Sequence, residues 1–164
     1  MEDKDASKKI IDTLIANEDA MAELYLAYSD KFPMLKDFWV KISEDERSHA
    51  AWIGKLFDQM KAGLVSFAEH RFPADAIAKN IEYLRGEKAK VGQGEMSALY
   101  ALETAVHIER GMIEHKFFEI FKDDSLELQT LLAALKLGTE QHFQDVQREW
   151  EREKAGGNLE KMIA

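Results

Sequence analysis

Four long segments of this chain place apolar residues every three or four positions, and almost nothing within them interrupts a helix. Only two prolines occur in 164 residues. This spacing predicts amphipathic helices that each bury one face, and therefore an all-α fold. The apolar positions, helix by helix, are Ile11, Leu14, Ile15, Met21, Ala22, Tyr25 and Tyr28; Leu35, Phe38, Ile42, Ile53, Leu56 and Met60; Leu99, Leu102, Val106, Ile113, Phe117 and Ile120; and Leu128, Leu131, Leu135, Val146 and Trp150.

The first two segments predict a helical hairpin. The first helix is expected over about residues 7–30, with Ser7 or Asp5 as its N-cap. The sequence DKFP separates it from the second helix, where Pro33 suits the first turn. The second helix is expected to continue to about residue 61, with Gly63 at its end. Because the break is short, the two helices are expected to be antiparallel neighbours.

The last two segments predict a second hairpin of the same kind. The third helix is expected over about residues 95–122, after the sequence VGQG. The sequence KDDS breaks the pattern, with Asp124 or Ser125 as the next N-cap. The fourth helix is expected to end near residue 154, where the sequence AGGN follows.

The segment between the hairpins, residues 63–94, is too long for a tight turn. It contains a short helical pattern that Pro73 begins, and it predicts a crossover between the hairpins, with a lid or an oligomer contact as alternatives. The length of the chain, residues 1–164, predicts a single domain.

Composition excludes several classes of protein. The net charge of −9 argues against a nucleic-acid partner and against an anionic membrane surface. The chain has no cysteine, so disulfides, thiolate metal sites and a cysteine nucleophile are excluded. The charged start MEDKDASKK is unlike a signal peptide, and no stretch is long and apolar enough to span a bilayer. A cytoplasmic location is the default expectation.

Each apolar stripe includes an ionisable residue near its middle. The same three- and four-residue spacing places Glu18 on the first stripe, Glu46 and His49 on the second, Glu109 on the third and His142 on the fourth. Any one of these residues alone is more simply interpreted as a side chain at the edge of the core. Four stripes with such residues at similar heights favour one buried cluster instead.

A buried cluster of this composition predicts bound metal. An isolated ionised carboxylate in an apolar core is so unfavourable that it normally takes up a proton, and neighbouring carboxylates repel one another. One or two divalent cations remove both problems. Glu46 and His49, three residues apart, can reach the same ion. Oxygen and imidazole ligands favour iron or manganese, with zinc as an alternative.

The ionisable residues also follow an internal repeat. Glu109 follows Glu18 by 91 residues, and His142 follows His49 by 93. The two hairpins therefore look like related halves whose loops differ by two residues, and each half is expected to supply part of one centre.

The chain resembles the ferritin-like superfamily, and most closely the di-iron domain of rubrerythrin-type proteins. The stretches that carry the resemblance are NEDAMAELYLAYSDKFPMLKDFWVKISEDERSHAAWIGKL and ALETAVHIERGMIEHKFFEIF. The resemblance implies a four-helix bundle with two metal ions, Glu46 bridging them, Glu18 and His49 on one side, and Glu109 and His142 on the other. It further implies redox chemistry with oxygen or hydrogen peroxide, or oxidation of ferrous iron, a separate electron donor, and a homo-oligomer, with a dimer favoured.

The chain departs from that family at two positions. Thr139 stands where the fourth helix should carry a glutamate, and Glu140 beside it reaches the site only if the helix deforms, for example near Gly138. Met112, which the repeat aligns with Met21, replaces an additional glutamate. The cysteine-rich electron-transfer module of full rubrerythrins is also absent. The sequence therefore leaves enzymatic activity open, with a metal-free or single-metal structural or regulatory protein, or an iron-storage protein, as alternatives.

Two neighbours of the cluster are secondary candidates. Asp145 lies one turn after His142 and can hold its imidazole, although a solvent-exposed position is equally compatible with the pattern. Tyr25 lies two turns after Glu18 and either hydrogen-bonds near the site or packs in the core.

Overall fold

The structure, a computed structural model, describes residues 2–62, 74–114 and 126–163, and these ranges contain helices and no strands. The all-α prediction is thus confirmed for the described residues. The helices are α1 (Glu2–Lys31), α2 (Lys36–Lys61), α3 (Ala74–Val91), α4 (Ala98–Glu114) and α5 (Leu126–Ile163), and a single 3-10 turn, Pro33–Leu35, leads into α2.

Helices α1 and α2 pack together as antiparallel neighbours. The Ser43 hydroxyl donates to the Ala22 carbonyl at 2.8 Å, and the rings of Tyr28 and Trp39 lie 5.0 Å apart. Pairing a later residue of α1 with an earlier residue of α2 requires the two helices to run in opposite directions. The other predicted hairpin is also formed by neighbouring helices, since α4 packs against α5.

Helix α3 lies in the predicted crossover, and its 18 residues nearly coincide with the stretch PADAIAKNIEYLRGEKAK that the sequence pattern makes helical. It runs parallel to α1, because Asn80 donates to Asn17 at 2.7 Å and Lys88 pairs with Glu23 at 2.8 Å. Its apolar face includes the buried side chains of Ile77, Ile81 and Leu84. The crossover therefore adds a packed layer to α1.

The predicted helix ends differ from the structure where only weak signals marked them. Helix α1 begins at Glu2, so the proposed caps Asp5 and Ser7 lie inside it. No proline or glycine separates them from the apolar stripe, and charged residues continue a helix at little cost. Helix α5 continues to Ile163 through the sequence AGGN, because each glycine weakens a helix by about 1 kcal/mol without ending it.

The other predicted ends fall close to the structure or outside the described residues. Helix α4 begins at Ala98 rather than near residue 95, because the Ser97 hydroxyl accepts a hydrogen bond from the Tyr100 backbone N–H at 3.1 Å and caps the helix. Pro33 begins the 3-10 turn before α2. The predictions for Gly63, Pro73, residues 115–122, Asp124 and Ser125 lie outside the described residues.

The core lies where α1 meets its neighbours. The most buried large side chains include those of Tyr25, Trp39, Leu84 and Leu102, from four different helices. In the described part of the chain, none of the helices combines the length and apolar character needed to cross a membrane.

Candidate metal centre

A buried carboxylate and two imidazoles form the middle of the candidate site. Because α2 is regular there, Glu46 and His49 lie one turn apart on its buried face, and α5 brings His142 to them. Their exposed fractions are 1%, 4% and 3%. The His49 Nδ1 lies 2.9 Å from Glu46 Oε2, and the His142 Nδ1 lies 3.0 Å from Glu46 Oε1. Each carboxylate oxygen thus faces one imidazole.

These three residues make a candidate metal site. One ligand atom from each lies within 4.8 Å of the others, and all three side chains are buried. The two imidazole rings are stacked, with 5.2 Å between their centroids and 29° between their planes. A carboxylate with two imidazoles is a ligand set that suits iron, manganese or zinc.

The two remaining predicted residues border this group. Glu18 on α1 is buried, and its Oε2 lies 3.6 Å from the Nδ1 of His49. Glu109 on α4 is fully buried, and Tyr25 donates to its Oε1 at 2.7 Å. The structure thus places Tyr25 in hydrogen-bond contact with a predicted ligand, the first of the two roles that its sequence position allowed.

The second oxygen of Glu109 tests whether these residues fit a metal ion. Among the described residues, Glu109 Oε2 has no hydrogen-bond partner although it is buried. An unpaired buried carboxylate oxygen is costly, and coordination to a cation removes that cost. The residues present therefore fit a bound metal ion.

The pKa values of the cluster show how strongly it attracts positive charge. Burial raises the pKa of Glu18 to about 8, and burial together with the charge of Glu46 raises the pKa of Glu109 well above 4.5. Burial alone would raise the pKa of Glu46 too, but hydrogen bonds from His142 and His49 lower it. Burial alone would lower the pKa of His49, but Glu18 and Glu46 raise it to about 10.

These pKa shifts predict that the metal-free protein loses stability as the pH rises. The folded-state pKa of Glu18 is above its unfolded value, so its contribution is complete below about pH 4.5 and is lost as the pH rises through 8. His49 acts in the same direction up to about pH 10. We expect the melting temperature with chelator present to fall between about pH 5.5 and pH 8.5, and added Mn²⁺ to reduce that fall because cations replace protons.

Thermal melts of wild type and Glu18→Gln, with and without Mn²⁺, check this expectation. The neutral isostere removes the titrating group, so its metal-free melting temperature should depend less on pH. Equal slopes for the two proteins would contradict the assignment of this pH dependence to Glu18.

Helix α5 approaches the site through a glycine. A Cβ atom built on Gly138 would lie 2.5 Å from Nε2 and 2.9 Å from Cε1 of His49, and separations under 3.0 Å are essentially never seen for real Cβ atoms. The absence of a side chain at position 138 therefore makes room for the imidazole.

The helix is regular on both sides of this glycine, so the deformation that would bring Glu140 inward is not observed. Glu140 is half-exposed and lies 3.9 Å from Lys136. Thr139 is buried on the same face as His142, and its hydroxyl donates to the Leu135 carbonyl at 3.1 Å. On α5, the buried position next to the site is therefore taken by the hydroxyl of Thr139, and the carboxylate of Glu140 points toward solvent.

The outer partner of His142 is Asp45 rather than Asp145. Asp45 Oδ2 lies 3.4 Å from the Nε2 of His142. Asp145 instead accepts hydrogen bonds from Gln141 and Arg148, at 2.9 and 3.2 Å. Apolar periodicity does not indicate Asp45, because this residue lies off the apolar stripe, directly before Glu46. The sequence did contain a signal for the close contact at Gly138, because an isolated glycine inside a helical pattern often has a packing reason.

Two methionine sulfurs lie beside the buried side-chain amide of Asn17, the residue before Glu18. Met21 and Met112, which the internal repeat aligns, both lie near the Nδ2 of the buried Asn17, with sulfur–nitrogen distances of 3.7 and 3.5 Å. The two halves of the repeat thus meet at Asn17, and Met112 fills the place of the additional glutamate with an apolar side chain.

Comparison of the chain with protein-family models, with curated proteins and with solved structures gives no match.

Proposed function

We propose that this protein is a non-haem di-metal carboxylate protein of the ferritin-like type, most similar to the di-iron domain of rubrerythrins. The observation that supports the proposal is the buried group of Glu46, His49 and His142. Glu18 Oε2 lies 3.6 Å from the Nδ1 of His49, and burial and the charge of Glu46 raise the pKa of the buried Glu109. The proposed fold is a four-helix bundle formed by α1, α2, α4 and α5, with α3 packed outside α1.

Each residue has a distinct part in the proposed centre. Glu46 would hold metal at both positions, which is supported by its two oxygens facing different imidazoles. Glu18 and His49 would complete one position, and Glu109 and His142 would complete the other. Iron held there would supply electrons to oxygen or hydrogen peroxide. Tyr25 orients Glu109 through its hydrogen bond, and Asp45 orients His142.

The proposed reaction is the oxidation of ferrous iron or the reduction of oxygen or peroxide, with electrons from iron or a separate donor. The five residues of the cluster are each at most 4% exposed, so bulk water is kept away from them. Iron is the proposed metal, and manganese and zinc fit the same ligand set.

A second candidate is a single-metal or metal-free structural or regulatory protein. Thr139 favours it, because the second metal position has one carboxylate fewer than the family pattern. In this case Glu46, His49 and His142 alone hold the ion, as in sites with two histidines and one carboxylate.

Metal content separates these candidates. We expect protein purified without chelator, and apo-protein titrated anaerobically with ferrous iron, to bind two equivalents per chain. Exposure to air should then produce an absorbance band from charge transfer between ligand and metal. One equivalent favours the single-metal form of the second candidate, and none favours its metal-free form.

A matched pair of variants assigns the metal to this cluster. Glu46→Gln removes the carboxylate that contacts both imidazoles, so binding and the absorbance band should be lost. Glu87→Gln changes a carboxylate that is equally buried but lies on α3, where it pairs with Lys90 and Tyr100. Its stoichiometry should equal that of wild type, and equal losses in both variants would point to misfolding.

The proposed assembly is a homo-oligomer, with a dimer favoured. Light scattering coupled to size-exclusion chromatography tests it, because a dimer cannot enclose a mineral core whereas an iron-storage cage contains many subunits.

A further inference from the structure

Three aromatic side chains form a continuous contact that ends at the candidate centre. The ring of Trp39 is stacked on that of Tyr25, with 5.6 Å between the centroids, and lies 5.0 Å from the ring of Tyr28. All three side chains are fully buried. Tyr25 in turn donates a hydrogen bond of 2.7 Å to Glu109. Trp39 is therefore one ring away from a proposed metal ligand.

The polar group of this indole has no structural use that the structure shows. A buried tryptophan usually donates its ring N–H to an acceptor. Within residues 2–62, 74–114 and 126–163, the Nε1 of Trp39 has no hydrogen-bond partner. A Trp39 ring that loses an electron therefore keeps its proton, and the positive charge stays on the ring, where the stacked face of Tyr25 attracts it.

One further ring lies between Trp39 and the surface. Phe38 meets Trp39 edge to face, with 5.0 Å between the centroids, and its side chain is only partly buried. An electron donor in solution can therefore come within one ring of Trp39 without entering the metal cluster.

We propose that Trp39 supplies one electron to the metal centre when hydrogen peroxide reacts there with a single ferrous ion. The inference rests on the iron-binding function proposed above and adds the source of an electron to it. It concerns the singly loaded centre that Thr139 favours, because the second metal position has one carboxylate fewer than the family pattern.

The electrons and protons of this step balance. Reduction of one hydrogen peroxide molecule to two water molecules breaks the O–O bond and takes two electrons and two protons. One electron comes from the ferrous ion, which is left ferric, and the other comes from Trp39, which is left as a radical cation. The protons come from solvent. A one-electron reductant such as ascorbate then returns an electron to Trp39 from the side of Phe38.

The chain has two other tryptophans, and both are placed differently. Trp52 is the rival source, because its ring lies 5.4 Å from that of His49, but it is partly exposed, so solvent can quench a radical formed there. Trp150 is also partly exposed, and the ammonium group of Lys154 lies 4.6 Å from its ring centroid. Like charges repel, so this ammonium group opposes oxidation of Trp150, which makes Trp150→Phe the matched control.

Electron paramagnetic resonance of freeze-quenched samples tests the inference. Metal-free protein is loaded anaerobically with one ferrous ion per chain and then mixed with hydrogen peroxide. We expect wild type to form an organic radical whose line shape changes when its tryptophans carry deuterated rings. Trp39→Phe should lose this radical and release more hydroxyl radical to a spin trap, because phenylalanine gives up an electron far less readily than indole. Trp52→Phe and Trp150→Phe should keep the radical.

A smaller change covers the case in which Trp39→Phe does not fold. In a double variant with Trp52→Phe and Trp150→Phe, a fluorinated tryptophan enters the chain only at position 39. It keeps the shape of the indole but is harder to oxidise, so the radical should be lost while ferrous iron still binds.

The outcomes separate this inference from the proposed function. If wild type binds no ferrous iron, both are overturned. If wild type binds iron and consumes peroxide, but forms no protein radical or forms it on tyrosine, only the role of Trp39 is overturned. The same holds if the radical persists in Trp39→Phe and in the fluorinated protein, or if Trp52→Phe is the variant that loses it.

Discussion

Replacing Gly138 by alanine is expected to weaken metal binding on the order of 10- to 100-fold while changing the stability of the metal-free protein little. The new methyl group would lie 2.5 Å from the Nε2 of His49, so the ring must move. The ring is the free end of its side chain and can turn, but turning removes its Nδ1 from Glu46 Oε2, now 2.9 Å away. The gain in helix propensity, up to about 1 kcal/mol, offsets part of the strain.

Calorimetric titration with Mn²⁺ and thermal melts of the metal-free protein measure the two effects separately. Gly86→Ala is the control, because Gly86 lies on α3 and a Cβ there meets nothing within 4 Å. That variant should be more stable than wild type by about 1 kcal/mol and should bind metal normally. Unchanged metal affinity in Gly138→Ala would show that His49 takes no part in coordination.

The burial of the ionisable residues could be predicted from the sequence because they lie in register with the apolar stripes of their helices. Glu46 and His49 continue an apolar stripe, so helical periodicity alone places them inside. The structure buries both, along with Glu18, Glu109 and His142. Periodicity gives the height and face of a residue on its own helix, and this is sufficient to bring residues of paired helices together.

Helical periodicity could not predict the contacts that depend on the distances between helices. The place of His49 beside Gly138 is set by how closely α2 and α5 approach, and no local pattern contains that distance. The contact of Asp45 with His142 could not be predicted for the same reason, since Asp45 lies off the apolar stripe and reaches His142 from the edge of the interface. The ends of α1 and α5 were mispredicted for a different reason: helix propensity is weak, and single caps or glycines do not decide where a helix stops.

Introducing a carboxylate at position 139 tests whether this position limits the proposed second metal ion. Thr139→Glu adds a ligand on the buried face of α5, one turn before His142. We expect the affinity for a second ferrous ion to rise by about tenfold or more, since even changes outside the ligand shell reach that size. The metal-free variant should be less stable by about 1–3 kcal/mol, because a fourth carboxylate is buried without a partner.

The neutral isostere Thr139→Gln separates charge from volume. It fills the same space, so both variants should disturb packing equally, but only the glutamate gains a compensating cation. We therefore expect saturating ferrous iron, kept anaerobic, to raise the melting temperature of Thr139→Glu more than that of Thr139→Gln or wild type. If the two variants instead show the same binding steps and the same shift, a carboxylate at position 139 does not reach the metal.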